Sequence, residues 1–119
     1  LAVIAVMAMH DIMHKNDQAY FRAKREERFG VTIEDLAADA PAQRKLLQER
    51  LAPVRAVLKH HAWLSGDHPA MADYVAFSAL QWCWVVGLRD LLEPDDSVAE
   101  WFGRCQDLFD GAARNSCCA

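Results

Sequence analysis

Apolar residues recur along this chain at helical spacing, and nowhere do they alternate with the period of two that marks a half-buried strand. The first run, Leu1 to Met9, is apolar at every position. A polar helix then reads from Gln18 to Phe29, with Asn16 or Asp17 placed to cap it and Gly30 to supply a left-handed stop. Thr32-Ile33-Glu34-Asp35 has the spacing of a capping box, with Asp in place of the usual Glu. After Pro41, Leu47, Leu51, Val54 and Leu58 recur in steps of four, three and four, which predicts one long helix. Pro53 falls inside it, removes a backbone donor and should kink it.

Trp63-Leu64-Ser65-Gly66-Asp67-His68-Pro69 reads as a turn. Between Ala70 and Gly87 the only polar residues after Asp73 are Ser78 and Gln81. A helix apolar on all sides needs cover on all sides, so this segment is expected to be the central helix. The last helix starts near Asp95-Asp96-Ser97, should bury Val98, Trp101, Phe102, Cys105, Leu108 and Phe109 on one face, and closes at Gly111. The elements predict an all-α fold, a compact bundle of about five or six helices in a single helical domain over residues 1–119. Leu1 to Met9 then has two readings. It is a second core helix, or its apolar surface is completed by a neighbouring domain.

The chain is one domain in size, at 119 residues and 13.4 kDa, and its 53% hydrophobic content suffices for a core without disulfide or metal staples. A net charge of -4 argues against a nucleic-acid partner. The longest uncharged run, Tyr74 to Leu88, is 15 residues, short of the roughly 20 a bilayer requires. No signal peptide is visible, and the four cysteines form no C-x-x-C, so the expected compartment is cytoplasmic. The chain begins at Leu1 and not at Met, which reads as a processed or cut terminus. Cys117 and Cys118 read as a frayed tail.

On the first helix Met7, His10, Asp11 and His14 share a face at helical spacing. They form either a mixed apolar and polar wall of a substrate site or ordinary packing with a polar end. His10 and His14 could also share a zinc ion. The zincin pattern, however, needs Glu directly after the first His, where Asp11 stands, and a third ligand would have to come from distant His60, His61 or His68, so no metal is expected. Arg22, Lys24, Arg25 and Arg28 are interrupted by Glu26 and Glu27 and read as a solvated face. Isolated glycines exclude a phosphate-binding loop, and no G-x-S-x-G marks a serine hydrolase.

The stretch Trp63 to Tyr74 resembles the signature of the C-terminal helical domain of glutathione S-transferases, in which a Gly turn leads into a Ser/Thr-x-x-Asp box opening the central helix. Asp73 falls on that family's buried Asp, the structural cap, and Ala72-Asp73-Tyr74-Val75-Ala76-Phe77 matches the run around it. Ala70 stands where the family has its capping hydroxyl, a loss worth about 1 kcal/mol. Residues 18–30, and Trp101-Phe102 through Asp107 to Gly111, resemble a subgroup of bacterial transferases similar to the beta-etherases. The resemblance covers nearly the whole chain.

It implies the C-terminal part of a longer two-domain chain. Glutathione would be the co-substrate, bound mainly by an N-terminal thioredoxin-like domain whose pattern is absent here. The helical half would line the site for a small apolar electrophile, chiefly with its first helix, and support a homodimer. Assigning Met7, His10, Asp11 and His14 to that wall is an inference from helix identity. The alternative is a non-catalytic helical module for protein interaction.

Overall fold

The structure, a computed structural model, describes residues 1–116; Cys117 and Cys118 lie outside the described residues. Its helical segments are α1 (Ala2–Ile12), α2 (Lys15–Phe29), α3 (Ile33–Ala38), α4 (Ala40–Arg50), α5 (Ala52–Leu58), α6 (Met71–Val85) and α7 (Ser97–Gly111). Only Leu51, at φ -78° and ψ -7°, separates α4 from α5, in the stretch where the sequence predicts one Pro53-kinked helix, and counting that pair as one gives six helices among the described residues. Pro53 sits in the first turn of α5, where its missing N–H costs nothing. Among the described residues there is no strand, only an isolated antiparallel bridge between Trp63 and Gly66. Gly66 turns there at φ 113°, a conformation that glycine adopts freely.

The helix ends follow local chemistry. Gly30 stops α2 in the left-handed conformation at φ 73°, and Thr32 Oγ1 accepts from the Asp35 N–H at 3.1 Å to start α3. Glu26 Oε1 covers a further first-turn donor, the Ile33 N–H, at 3.3 Å. Asp96 caps α7 by accepting from the Val98 N–H at 2.9 Å. One expected cap is different. Neither Asn16 nor Asp17 caps α2, because the helix begins earlier, and His14 Nδ1 accepts from the Asn16 N–H at 3.3 Å.

Three apolar clusters hold the bundle. Val6, Phe21, Ile33 and Leu36 bind α1, α2 and α3 at one end. Leu80 with Val98, Trp101, Phe102 and Cys105 binds α6 to α7 at the other, backed by Leu51, Val54 and Leu58. Ile4, Cys83 and Leu91 join the two ends. Full burial of each such side chain stabilises by roughly 1.5–3 kcal/mol before chain entropy is set against it. Arg55 pins α5 to the start of α7 through Asp96, with Nε–Oδ2 at 2.9 Å and Nη2–Oδ2 at 2.6 Å.

Of the two readings of α1 the packing favours the core helix, whereas the expectation for α6 is reversed. α1 packs on α2, α3 and α4, and Ile4, Ala5 and Val6 are buried, so the bundle itself covers most of the run that looked unsupported. α6, expected to be surrounded, packs chiefly on α7 and leaves Met71 75%, Val75 62%, Tyr74 40% and Trp82 37% exposed. Phe109 also departs from the expected face. Helical geometry breaks at Leu108 (ψ 151°), Phe109 and Asp110 take left-handed φ values of 54° and 58°, and the Phe109 ring turns outward, 74% exposed. It stacks on Tyr74 at 6.4 Å.

Candidate functional site

The C-terminal half of α1 carries Met7, His10 and Asp11, and the turn into α2 holds them in place. Gln18 Nε2 donates to the carbonyls of His10 at 3.2 Å and Met13 at 3.3 Å, bracing the end of α1, where the Met13 N–H also bonds the His10 carbonyl at 3.2 Å. Met7 is half-buried against the Val6–Phe21–Ile33–Leu36 cluster. His10 stands beside it with its ring 6.5 Å from Phe21, and its Nδ1 lies 3.0 Å from Asp11 Oδ1. The His10 side chain is 15% exposed and that of Asp11 65%, so the pair has a sheltered ring and a wet carboxylate. A His held by a neighbouring carboxylate has its tautomer fixed, which leaves Nε2 as the ring's acceptor when neutral.

His14 does not join this face. α1 ends at Ile12 and Met13 is extended (φ -73°, ψ 151°), so the four-residue spacing from His10 no longer means one helical side. Its Nδ1 is committed to the start of α2. The same break removes the geometry for a shared ion between His10 and His14. Among the described residues no group of three His, Cys, Asp or Glu is arranged to hold a metal.

This face of α1 is bordered by α2 and α3. Arg25 lies over the Phe21 ring at 5.0 Å, and a shallow groove beside it is lined by Met13, Asp17, Tyr20, Phe21, Lys24 and Arg25. Arg22 clamps Glu34 through paired bonds of 2.7 and 2.8 Å and also reaches Glu26 at 3.1 Å. The Arg22 hydrogen bonds, followed by a backbone donor, hold the Glu34 carboxyl down at about 2. Neither buried thiol is prepared for nucleophilic work. Burial, and then the charge of Asp73, push Cys105 up to about 12, and burial raises Cys83 as well.

Asp73 is the structural cap that the sequence pointed to, and it holds more than its own helix. Its carboxylate is fully buried and accepts from four donors. Oδ1 takes the Leu64 N–H at 2.7 Å and the Trp101 Nε1–H at 2.8 Å, while Oδ2 takes the N–H groups of Ser65 and Ala70 at 3.2 Å each. Burial alone would raise this carboxyl, but Trp101 and the backbone donors outweigh it and keep it below its ordinary value. The turn at 63–65, the start of α6 and the middle of α7 therefore meet on one side chain. The Trp101 bond was not read from the sequence, where Trp101 counted only as an apolar position. The available signal was general: a buried indole N–H and a buried carboxylate both need partners.

No helix among the described residues is long and apolar enough to cross a membrane. The family model described as glutathione S-transferase, C-terminal domain, matches residues 1–110 of the chain.

Proposed function

The chain belongs to the glutathione S-transferase C-terminal-domain family, and on that premise we propose that it is the helical half of an enzyme joining glutathione to a small apolar electrophile. In this reading a thioredoxin-like N-terminal domain binds glutathione and stabilises its thiolate. The sulfur then attacks the electrophilic carbon, and the leaving group departs with its electron pair. The helical half supplies position: Met7 offers an apolar surface, and His10, steadied by Asp11, offers a polar edge. Holding the electrophile near the sulfur is worth several kcal/mol of barrier only when both reactants are bound. His14 enters only as the cap that fixes the α1–α2 turn. The family match over residues 1–110 carries the reading.

The open side of α6 supports a second part of it. Met71, Tyr74, Val75 and Trp82 recur at helical spacing, and an exposed apolar stripe of that kind is where a soluble protein meets a partner. The partner is the N-terminal domain or the second subunit of a homodimer, in a cytoplasmic enzyme of the beta-etherase-like bacterial subgroup.

Steady-state kinetics of the two-domain protein with two electrophiles, alongside a thiolate titration, test the division of labour. Met7→Ala and His10→Gln should change substrate preference and KM while leaving the glutathione thiol pKa in place. Turnover of a chloronitrobenzene by residues 1–119 alone would overturn the reading, as would a thiol pKa that moves strongly with His10→Gln.

A further inference from the structure

A cavity of about 220 Å³ opens between α6, the 88–92 loop and α7. None of its walls comes from α1, so it is unrelated to the Met7–His10 wall. Leu80, Trp84, Leu92 and Phe102 make it apolar, and Arg89 and Arg114 stand among its lining residues, which include no Asp or Glu. The two arginines are not equivalent. Arg114 donates from Nε to Asp107 Oδ1 at 2.7 Å and from Nη2 to the Gly103 carbonyl at 3.1 Å, so its charge is already answered. Arg89 has no carboxylate partner among the described residues; its guanidinium carbon rests 4.9 Å from the centre of the Trp84 ring. The adjacent Asp90 is turned away, paired with Arg44 at 3.1 Å.

We propose that this cavity binds a compact aryl carboxylate, its ring between Leu80, Leu92 and Phe102 and its carboxylate on Arg89. The volume sets the size. An apolar cavity of roughly 150 Å³ takes benzene, while drug-sized ligands need about 300 Å³ or more, so the occupant is a one- or two-ring molecule. The charge sets the class. One unanswered guanidinium beside one that is already paired matches a monoanion, and a guanidinium fork fits a planar carboxylate. Arg89 is also held by Trp84, so less freedom is lost when the anion binds than for an unrestrained surface arginine.

Calorimetric titration of the full chain with naphthoate tests this, with neutral naphthamide as the isosteric control. Naphthoate should bind saturably at one site, and both naphthamide binding to the chain and naphthoate binding to Arg89→Gln should be about tenfold weaker. Ala99→Met, which puts a longer side chain into the cavity wall, should abolish binding while the thermal melt stays cooperative. If Ala99→Met does not fold, Leu92→Phe makes the same test from the loop side. Absence of saturable naphthoate binding overturns the proposal. So does naphthamide binding as tightly as naphthoate, which would make the cavity a neutral apolar site. Binding that survives the cavity-filling variant would place the ligand elsewhere and overturn it equally.

Discussion

Removing the Asp73 carboxylate should cost more than removing any helix cap on the surface. In Asp73→Ala four donors lose their acceptor at once. They are not equal. Ser65 is exposed and the Ala70 position is half-buried, so water can reach those two N–H groups. The Trp101 indole is fully buried, and the Leu64 N–H has the shortest bond of the set. A buried donor left without a partner costs about 1–3 kcal/mol. The Trp101 donor gives about 1–3 kcal/mol, the part-buried Leu64 donor adds up to about 1, and the relief of no longer burying a charge keeps the expectation at about 2–3 kcal/mol. Urea unfolding of the two proteins should therefore show a lower midpoint with the slope unchanged. Asp73→Asn should recover only part of the loss, because one amide oxygen can serve Leu64 and Trp101 while its NH₂ confronts two further donors. The pH dependence carries a sign of its own. Asp73 has its folded pKa depressed, so its stabilisation is present above the unfolded carboxylate value and is lost as pH falls through the folded one. The stability gap between wild type and Asp73→Ala should thus narrow only below about pH 4. Equal urea midpoints at neutral pH would refute the four-donor account.

Ala70→Ser should stabilise the chain by about 0.5 kcal/mol, at the low end for a new cap, because the Asp73 N–H that a serine hydroxyl would accept already donates to the Ala70 carbonyl at 2.9 Å. Denaturant melts check it, and a loss of stability would mean that the hydroxyl cannot reach the first turn of α6. Arg22→Gln should raise the Glu34 carboxyl from about 2 into the ordinary carboxylate range, since the Arg22 hydrogen bonds are the main cause of the depression. Carbon-detected NMR titration reads that shift directly, and an unmoved Glu34 would show that its backbone donor dominates.

What the sequence could disclose was set by how local the cause is. Gly30, Thr32 and Pro53, and Asp96 in its role as a cap, act within one or two turns of themselves, and each does there what its chemistry suggests. Asp73 was legible because the turn before it and the apolar run after it are contiguous with it in the chain. Its bond to Trp101 spans 28 positions and has no local trace. His14 and Phe109 misled for a different reason. Periodicity assumes that a helix continues, and α1 stops two residues before His14 while α7 loses its geometry one residue before Phe109. A residue past such a break keeps its spacing in sequence and loses its side in space. Of the proposed wall, Met7, His10 and Asp11 therefore stay together and His14 leaves. The cavity between α6 and α7 had no motif to announce it, because Arg89 and Arg114 reach it from a loop and from the chain beyond the broken helix.

The exposure of α6 follows from the same limit, and it moves the open apolar surface from α1 to α6. A helix apolar on every side has no moment to say which way it faces, so the expectation that α6 is central rested on a uniform apolarity that α1 shares. Connectivity decided between them. Short connections return α2, α3 and α4 onto α1, where Phe21, Ile33 and Leu36 cover it. After α6 the chain makes one pass, and α7 can shield only the side bearing Leu80, through Trp101, Phe102 and Cys105. The side bearing Met71, Val75 and Trp82 is left to water. Phe109, at the break in α7, stacks beside Tyr74 and adds to that open apolar surface. The apolar surplus that pointed to a neighbouring domain is real in amount but lies on α6, so a partner domain or second copy that docked only on α1 would leave it unexplained.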